Sequence, residues 1–301
     1  MSSPPPDSQD ELPPIRNRYK AADVMNLDET PLPFEWLDGK TYELKGAKTV
    51  NMKTEREGWT KRQATLILYI FADGIPRIRP KLIFHGTPTN KGGKIEGNES
   101  KDYHPGVTFH FNQTAYNNED LTEEWLDNEL LPLIQPTARP FLLCLDCASF
   151  HKTPPLLAKM KKSNILPALI PPGCTGLLQP LDTHINKPFK EYLREENDKY
   201  LEGKRGIINS WTVSDKRIMA THIVGDAWER FCIEKKGVIE KSFQDLGIFI
   251  AADGSQDDLI SIKGFEKSEL IIGNYYQRDP QFEHYQEMPS DDIDEFVIDN
   301  M

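Results

Sequence analysis

The sequence predicts an α/β fold whose sheet is mixed, with an antiparallel hairpin half, a set of parallel strands and helices on its faces. Two observations support this fold class. Strand-like apolar runs dominate the first half of the chain, and helical and strand patterns alternate in the second half. The 301 residues, of which 38% are hydrophobic, are enough to bury one substantial core. We therefore expect one main domain over residues 19–277, between two polar ends.

The first half of the chain contains four segments typical of strands, since β-branched and aromatic residues cluster between turn residues. They are DVMNLDE (23–29), KTVNMKT (48–54), QATLILYIFADG (63–74) and RPKLIFHG (79–86). Asp73 and Gly74 form a typical turn pair. We therefore expect the strands on either side of this turn to pair with each other.

Helices and strands alternate in the second half. Apolar residues at helical spacing predict helices at 118–134, 154–164 and 183–201, and a last helix whose N-cap is Ser214. Apolar runs predict strands at 139–150 and 165–172. This alternation is typical of the parallel part of a sheet.

The net charge of −11 is concentrated at the C-terminal end. Residues 278–301 hold one Arg and eight Asp or Glu and so carry −7, and residues 1–18 carry −1, which leaves −3 on residues 19–277. The first segment is rich in Pro, Ser and acids and the last is acidic, so we expect both to be disordered. An acidic balance offers no support for a nucleic-acid partner, although a core near neutrality can carry a basic face.

The composition argues against a membrane protein and against a disulfide framework. No run of about 18 apolar residues occurs, and the N-terminus has neither an apolar stretch nor a basic leader. Four cysteines in a chain of this length indicate a reducing compartment. Cys144 and Cys147 form a CxxC pair, but a structural zinc site would need two more ligands at similar spacing. We therefore expect a soluble, intracellular protein with no membrane partner.

Three aspartates lie where apolar strands end or where a helix begins. Asp28 ends VMNLD, Asp146 ends FLLCLD, and Asp182 precedes the helix predicted from Thr183. Ligands of α/β sheets gather at strand ends. The 36 positions from Asp146 to Asp182 leave room for one helix and one strand that return the chain to the same edge. The three acids are therefore candidates for one functional site.

Carboxylates that lie within a few ångströms of one another repel strongly unless cations sit between them. Hard oxygen ligands favour Mg²⁺ or Mn²⁺, and two such ions can activate water and stabilise a leaving oxygen in phosphodiester cleavage. We therefore predict that Asp28, Asp146 and Asp182 are catalytic and bind two metal ions. Alternatively, each acid is a cap or turn residue, and Asp182 is a good N-cap candidate. Glu29 is expected on the opposite face of the strand from Asp28, in a supporting role.

Three segments resemble a known family. NLDET, FLLCLDCASFHKT and LIPPGCTGLLQPLDTHINKPFKEYL, in this order, resemble the catalytic core of DDE superfamily endonucleases, in particular pogo, Tigger and jerky-type transposases related to centromere protein B. ATLILYIFADGIPRIRPKLIFHG resembles the central hairpin of the family, and IEKSFQDLGIFIAADGSQDDLISI resembles the segment after its last core helix. The resemblance covers roughly residues 20–265 and is most specific at LQPLD and NKPFK.

This resemblance implies a ribonuclease H-like fold, with Asp28 on the first strand, Asp146 on the fourth and Asp182 at the final core helix. In the family, the three acids bind two divalent ions, cut DNA at element ends and join the freed 3′-hydroxyl to a target. The resemblance therefore implies Mg²⁺ or Mn²⁺ as cofactor and DNA as partner. It also implies a nuclear location, and a homodimer is the assembly to test.

Four basic residues near the acids have two interpretations each. His151 matches a His that is frequent after the second acid of the family; we expect it to support the loop, with substrate contact as the alternative. Lys152, Lys187 and Lys190 are expected to bind DNA phosphates. The alternative for these lysines is a solvated helix face.

Members of this family carry helix-turn-helix DNA-binding domains before the catalytic core, whereas only about 20 residues precede the first predicted strand here. We therefore expect a core that lacks the usual N-terminal DNA-binding domain. One alternative is a domesticated protein that keeps the fold and binds nucleic acid or protein without catalysis. A second alternative, a haloacid dehalogenase phosphatase, is disfavoured because Asn26 occupies the position of its aspartyl nucleophile in NLDETP.

Overall fold

The computed structural model describes residues 19–32, 64–86, 99–137, 139–202, 210–251 and 254–270. The chain divides into two units, residues 1–263 and residues 264–301. In the second unit, the described residues contain one 3₁₀ turn, Lys267–Glu269, which is closed by a capping box between Glu266 and Glu269. The strands and longer helices belong to the first unit.

Three predictions concern residues outside these described ranges. They are the disordered ends, residues 1–18 and residues 278–301, and the strand at residues 48–54. The domain boundaries expected at residues 18 and 277 therefore stay predictions.

The described strands form one mixed sheet. They are β1 (Val24–Leu32), β2 (Ala64–Phe71), β3 (Lys81–His85), β4 (Thr108–Asn112), β5 (Phe141–Asp146) and β6 (Ile165–Ile170). Their order across the sheet is β4-β3-β2-β1-β5-β6. β2 pairs antiparallel with β1 and β3, whereas β1 with β5, β5 with β6 and β3 with β4 pair in parallel. This confirms the predicted ribonuclease H-like mixed sheet with an antiparallel hairpin half.

Helices cover both faces of the sheet. They are α1 (Glu119–Trp125), α2 (Leu131–Ile134), α3 (Pro154–Lys162), α4 (Thr175–Leu178), α5 (Asn186–Leu201), α6 (Val213–Glu234) and α7 (Lys236–Asp245). Apolar side chains of α5, α6 and α7 pack on one face, and those of α1, α2 and α3 pack on the other. All of β2 is consequently buried, as expected for a central strand covered on both sides. No helix in the described ranges is long and apolar enough to cross a membrane.

The helix predicted at residues 118–134 consists of α1, a π-helical turn at Leu126–Leu130, and α2. It begins where the sequence provides a cap, because Asn118 Oδ1 accepts a hydrogen bond from the backbone N–H of Leu121 at 2.9 Å. The buried side chains of α1, among them Leu121 and Trp125, fall at helical spacing and face the sheet.

The last long helix begins earlier than predicted. Thr212, not Ser214, is the N-cap of α6. Thr212 Oγ1 accepts from the backbone N–H of Asp215 at 3.2 Å, and the Asp215 carboxylate accepts from the backbone N–H of Thr212 at 2.7 Å. This reciprocal pair is a capping box, which satisfies two backbone donors where a single serine would satisfy one.

Strand β4 was missing from the sequence-based prediction, although Phe109 and Phe111 alternate with polar residues as in a half-buried strand. It lies at the edge of the sheet beside β3. As a result, Asp146 ends the fifth described strand of the chain, not the fourth strand expected from the resemblance.

Candidate active site

Side chains of β1 alternate between the two faces of the sheet. Val24 packs with the layer formed by α5, α6 and α7, whereas Met25 and Leu27 pack with the layer formed by α1, α2 and α3. By the same alternation, Asp28 faces the α5 layer and Glu29 faces the opposite layer. The two adjacent carboxylates therefore have different surroundings.

Asp28 does not end its strand as predicted. β1 continues to Leu32, because Thr30 and Leu32 still pair with β2. Pairing of β1 with β5 runs only as far as Asn26. Asp28 therefore lies where the parallel half of the sheet ends while the antiparallel half continues.

The register of β1 and β5 brings Asp28 and Asp146 to the same edge. Asn26 pairs with Cys144 in the parallel ladder, and each acid lies two residues further along its strand. Neighbouring strands are about 4.8 Å apart, and a step of two residues returns a side chain to the same face. The backbone thus carries both acids to one edge of the sheet.

Asp28 and Asp182 share one amide group. Asn186 Nδ2 lies 3.0 Å from Asp28 Oδ2 and 3.1 Å from Asp182 Oδ1, and it donates to both carboxylates. Burial, followed by repulsion from Asp182, raises the pKa of Asp28 to about 8. Two of the three predicted acids are therefore brought together and held by a neutral donor.

Asp182 lies in a single π-helical turn, Leu181–Ile185, that leads into α5. Within this described segment no side chain caps the turn, and the exposed Asp182 carboxylate accepts instead from Asn186, one turn further on. Thr183 Oγ1 donates to Gln179 O at 2.8 Å and ties the turn to the preceding segment. The N-cap interpretation of Asp182 therefore does not describe its contacts. Such π-helical turns are frequent at functional sites.

Asp146 belongs to a second cluster, with His151 and Glu29. His151 is 1% exposed; its Nδ1 lies 2.7 Å from Asp146 Oδ1 and its Nε2 lies 3.4 Å from Glu29 Oε1. Asp146 Oδ1 also accepts from the backbone N–H of Ala148 at 3.1 Å. Burial lowers the pKa of His151, but its contacts with the two acids outweigh burial and raise the pKa to about 9. The hydrogen bond with His151 in turn lowers the pKa of Asp146.

The three predicted metal ligands do not form one group as they stand. Among the described residues, no three His, Cys, Asp or Glu side chains are grouped closely enough to hold a metal ion. Asp28 and Asp182 form a pair, and Asp146 is held by His151. Shared metal binding by the three acids therefore stays a prediction, as does the supporting role of His151.

The three lysines expected to bind DNA lie near these clusters along the chain. Lys152 follows His151 directly and is exposed, and Lys187 follows Asn186 and is also exposed. Lys190 is half-buried on α5. Their contact with DNA phosphates stays a prediction.

Two asparagines that sequence reasoning missed contribute to the site. Asn186 lies four residues after Asp182, a helical spacing that brings side chains together and provides a recognisable signal. Asn26 is fully buried in β1, two residues before Asp28. An amide within an apolar strand indicates a buried hydrogen-bonding role, because unpaired buried polar groups are rare.

A match to a family model identifies the protein family. The model of the family described as DDE superfamily endonuclease matches residues 61–243, which is more than half of the chain. The chain belongs to this family and contains a transposase-like DDE endonuclease domain. The matched range includes Asp146 and Asp182 and begins after Asp28.

Individual relatives are pogo transposable element proteins. The chain is 29% identical over 186 residues to the "Pogo transposable element with KRAB domain" of Mus musculus, and 30% identical over 186 residues to the Homo sapiens protein of the same name. Each match covers 61% of this chain and 28% of the relative. The Homo sapiens "Pogo transposable element with ZNF domain" is 24% identical over 131 residues, which are 44% of this chain and 9% of that protein. The chain thus spans less than a third of the length of these relatives.

Solved structures of Mos1 transposase are also similar. A pre-cleavage Mos1 transpososome matches with a TM-score of 0.39 and 14% identity, over 72% of this chain and 56% of that chain. The mariner Mos1 paired end complex with Mg matches with a TM-score of 0.37 and 14% identity, over the same shares of the two chains.

Proposed function

We propose that residues 19–277 form a metal-dependent nuclease core that cleaves DNA and joins the freed 3′-hydroxyl to a target. One observation carries this proposal: Asp28 and Asp182, distant in the chain, converge on the amide of Asn186, and the pKa of Asp28 rises to about 8. Carboxylates that crowd in this way are stabilised by a shared divalent cation. Membership of the DDE superfamily endonuclease family supports the same reaction class.

The chemistry of the donor set fits Mg²⁺ or Mn²⁺. Asp28, Asp146 and Asp182 would hold two ions through carboxylate oxygens, which are the hard ligands that these cations prefer. Two bound ions supply activation of the attacking oxygen and stabilisation of the leaving oxygen.

His151 acts on the acids and not on the substrate in this proposal. Its ring is 1% exposed, which leaves almost no surface for DNA. Through the contact of 2.7 Å it keeps Asp146 ionised and fixes the carboxylate at the end of β5. Glu29, which Asn117 Nδ2 contacts at 2.7 Å, lies 3.4 Å from Nε2 on the other side of the imidazole ring.

DNA is the proposed substrate, and lysines beside the acids would bind its phosphates. Lys152 and Lys187 expose their side chains next to His151 and Asn186 in sequence, and Lys190 follows on α5. Phosphate contacts of this kind position DNA without reading its sequence. A DNA substrate implies a nuclear site of action, and a homodimer would present two such cores to two DNA ends.

Nicking of supercoiled plasmid in Mg²⁺ or Mn²⁺ tests the proposed function. We expect wild type to nick the plasmid and Asp146→Asn to do so on the order of 10³-fold more slowly, since a metal ligand contributes several kcal/mol of transition-state stabilisation. Asp127→Asn is the control, because Asp127 is 49% exposed and pairs with Lys159 on the surface. Equal activity of wild type and Asp146→Asn would exclude the acids from the mechanism.

A second candidate function is DNA or protein binding by a fold that has lost the reaction. One observation favours it: Asp146 is paired with His151 and does not contact the pair formed by Asp28 and Asp182 through any described hydrogen bond. This candidate predicts that a triple variant with Asn at all three acids binds DNA as tightly as wild type in an electrophoretic mobility shift, and that wild type does not nick plasmid.

A further inference from the structure

Asn26 is the one polar residue of β1 whose side chain is fully buried, with 0% exposure. It lies between Met25 and Leu27, which are also buried. A buried amide is costly unless its donors and acceptors are paired. The bonds that Asn26 makes therefore explain why β1 tolerates it.

The amide nitrogen of Asn26 links β1 to β5. Nδ2 donates to Cys144 O at 3.0 Å and to Leu27 O at 3.1 Å. Cys144 lies two residues before Asp146, and Asn26 lies two residues before Asp28. This bond therefore joins the two strands just before the acids that they carry.

The amide oxygen of Asn26 links β1 to the turn that carries the third acid. Oδ1 accepts from the backbone N–H of Leu181 at 3.1 Å, across 155 positions of the chain. Leu181 directly precedes Asp182 and is itself 0% exposed. One side chain thus contacts all three acid-bearing segments within two residues of each acid.

Only a primary amide meets these demands at once. The partners of Nδ2 are two carbonyl oxygens and the partner of Oδ1 is an N–H group, so the contacts fix the orientation of the amide. An ionised aspartate keeps the acceptor and loses both donors. An alanine loses the acceptor as well.

We propose that Asn26 is a positioning residue that sets the spacing of Asp28, Asp146 and Asp182 and thereby the affinity of the site for divalent cations. This inference rests on the proposed function, since it assumes that the three acids bind metal together. Residues that orient metal ligands typically change metal affinity 10- to 100-fold when removed, by an order-of-magnitude rule. Asn26 would act in this way through backbone groups that lie one or two residues before each acid, namely those of Leu27, Cys144 and Leu181.

Calorimetric titration of the full chain with Mn²⁺ tests this inference. Asn26→Ala should bind Mn²⁺ about 10- to 100-fold more weakly than wild type. Thr221→Ala is the matched control: Thr221 is also 0% exposed, and its hydroxyl accepts from His104 N at 3.1 Å and donates to Ile218 O at 2.7 Å. Thr221→Ala should lower the melting temperature and leave Mn²⁺ affinity within about threefold of wild type. General loss of stability would then not explain weaker Mn²⁺ binding by Asn26→Ala.

Hydrogen exchange provides a readout that does not depend on metal. The Leu181 amide should exchange at least about tenfold faster in Asn26→Ala than in wild type, because its acceptor is lost. In Asn26→Asp, which keeps the acceptor, this amide should remain protected while Mn²⁺ affinity still falls. Asn26→Asp also decides the question if Asn26→Ala does not fold.

The outcomes separate the inference from the proposed function. Wild-type affinity for Mn²⁺ in a folded Asn26 variant would overturn the inference alone. A wild-type chain that does not bind Mn²⁺ would contradict the proposed function and, with it, the assigned effect on metal. Unchanged exchange of Leu181 in Asn26→Ala would overturn the linkage itself.

Discussion

Two clusters of carboxylates lie near one edge of the sheet and differ in how their charge is balanced. The amide cluster consists of Asp28, Asp182 and Asn186; the imidazole cluster consists of Glu29, Asp146 and His151. Burial and repulsion from Asp182 raise the pKa of Asp28 to about 8, whereas the hydrogen bond with His151 lowers the pKa of Asp146. A neutral amide orders two carboxylates without removing their repulsion, and an imidazolium removes it. A divalent cation would therefore stabilise the amide cluster far more than the imidazole cluster.

DNA cleavage should show the largest difference between the two clusters. Asp182→Asn should slow plasmid nicking on the order of 10³-fold, because it removes a proposed metal ligand that belongs to the amide cluster. His151→Gln should slow it about 10- to 100-fold, because His151 acts through Asp146. Nicking rates of both variants in Mn²⁺ measure the difference.

Thermal unfolding of Asp182→Asn and His151→Gln is the control for this comparison, since both must be folded at the assay temperature. If the nicking rates of the two folded variants fell by the same factor, His151 would contribute to catalysis as directly as a metal ligand. The distinction between the two clusters would then not extend to catalysis.

The stability of the metal-free protein should depend on pH through the amide cluster. The folded chain keeps a proton on Asp28 up to about pH 8, whereas the unfolded chain loses it near the ordinary value of 3.8. The free energy of unfolding therefore falls as the pH rises through this window. At about pH 8, Asp28→Asn should be more stable than wild type by ~2–5 kcal/mol, and the difference should shrink towards about pH 4. Urea denaturation in EDTA measures it.

Within the imidazole cluster, ionisation of Asp146 should affect stability with the opposite sign. Because the pKa of Asp146 is lowered in the folded state, its ionised form contributes stability above the ordinary pKa of 3.8 and loses it as the pH falls. Asp146→Asn should therefore be less stable than wild type at about pH 8, where Asp28→Asn is more stable. Shifts of the same sign in both variants would contradict the proposed difference in charge balance.

Much of the fold could be predicted because its strongest signals are local. β2 and β5 are nearly continuous apolar runs. The buried apolar residues of α5, Phe189, Tyr192 and Leu193, fall at helical spacing. β4 was missed although Phe109 and Phe111 alternate with polar residues, because the run is only five residues long. The extension of β1 to Leu32 also escaped prediction, because Pro31 and the charged pair before it are typical of a strand end.

The site could be predicted only in part, because the contact that joins the amide cluster, Asn186 with Asp28, spans 158 positions of the chain. The acids stood out as charges next to apolar runs, a local signal. The placement of Glu29 and Asp28 on opposite faces of the sheet could be predicted from strand alternation. That Asp146 pairs with His151, while Asp28 shares Asn186 with Asp182, depends on which side chains the tertiary fold brings within 3.1 Å. Helical spacing indicates the contact of Asp182 with Asn186, but no periodicity indicates the contact of Asn186 with Asp28.

The smallest expected effect is on the free energy of unfolding, and it compares the side-chain amides of Asn186 and Asn117, each of which contacts one cluster. Asn186→Ala should lower the free energy of unfolding of the metal-free protein by ~1 kcal/mol, since it removes one donor from two carboxylates. Saturating Mn²⁺ should abolish this deficit, because a cation then separates the carboxylates in place of the amide. Asn117→Ala is the matched control: it is equally half-buried and removes a donor from Glu29 at 2.7 Å, and its deficit should persist in Mn²⁺. Urea denaturation in EDTA and in Mn²⁺ measures both variants, and an Asn186 deficit that survives Mn²⁺ would mean that the amide cluster does not bind the cation.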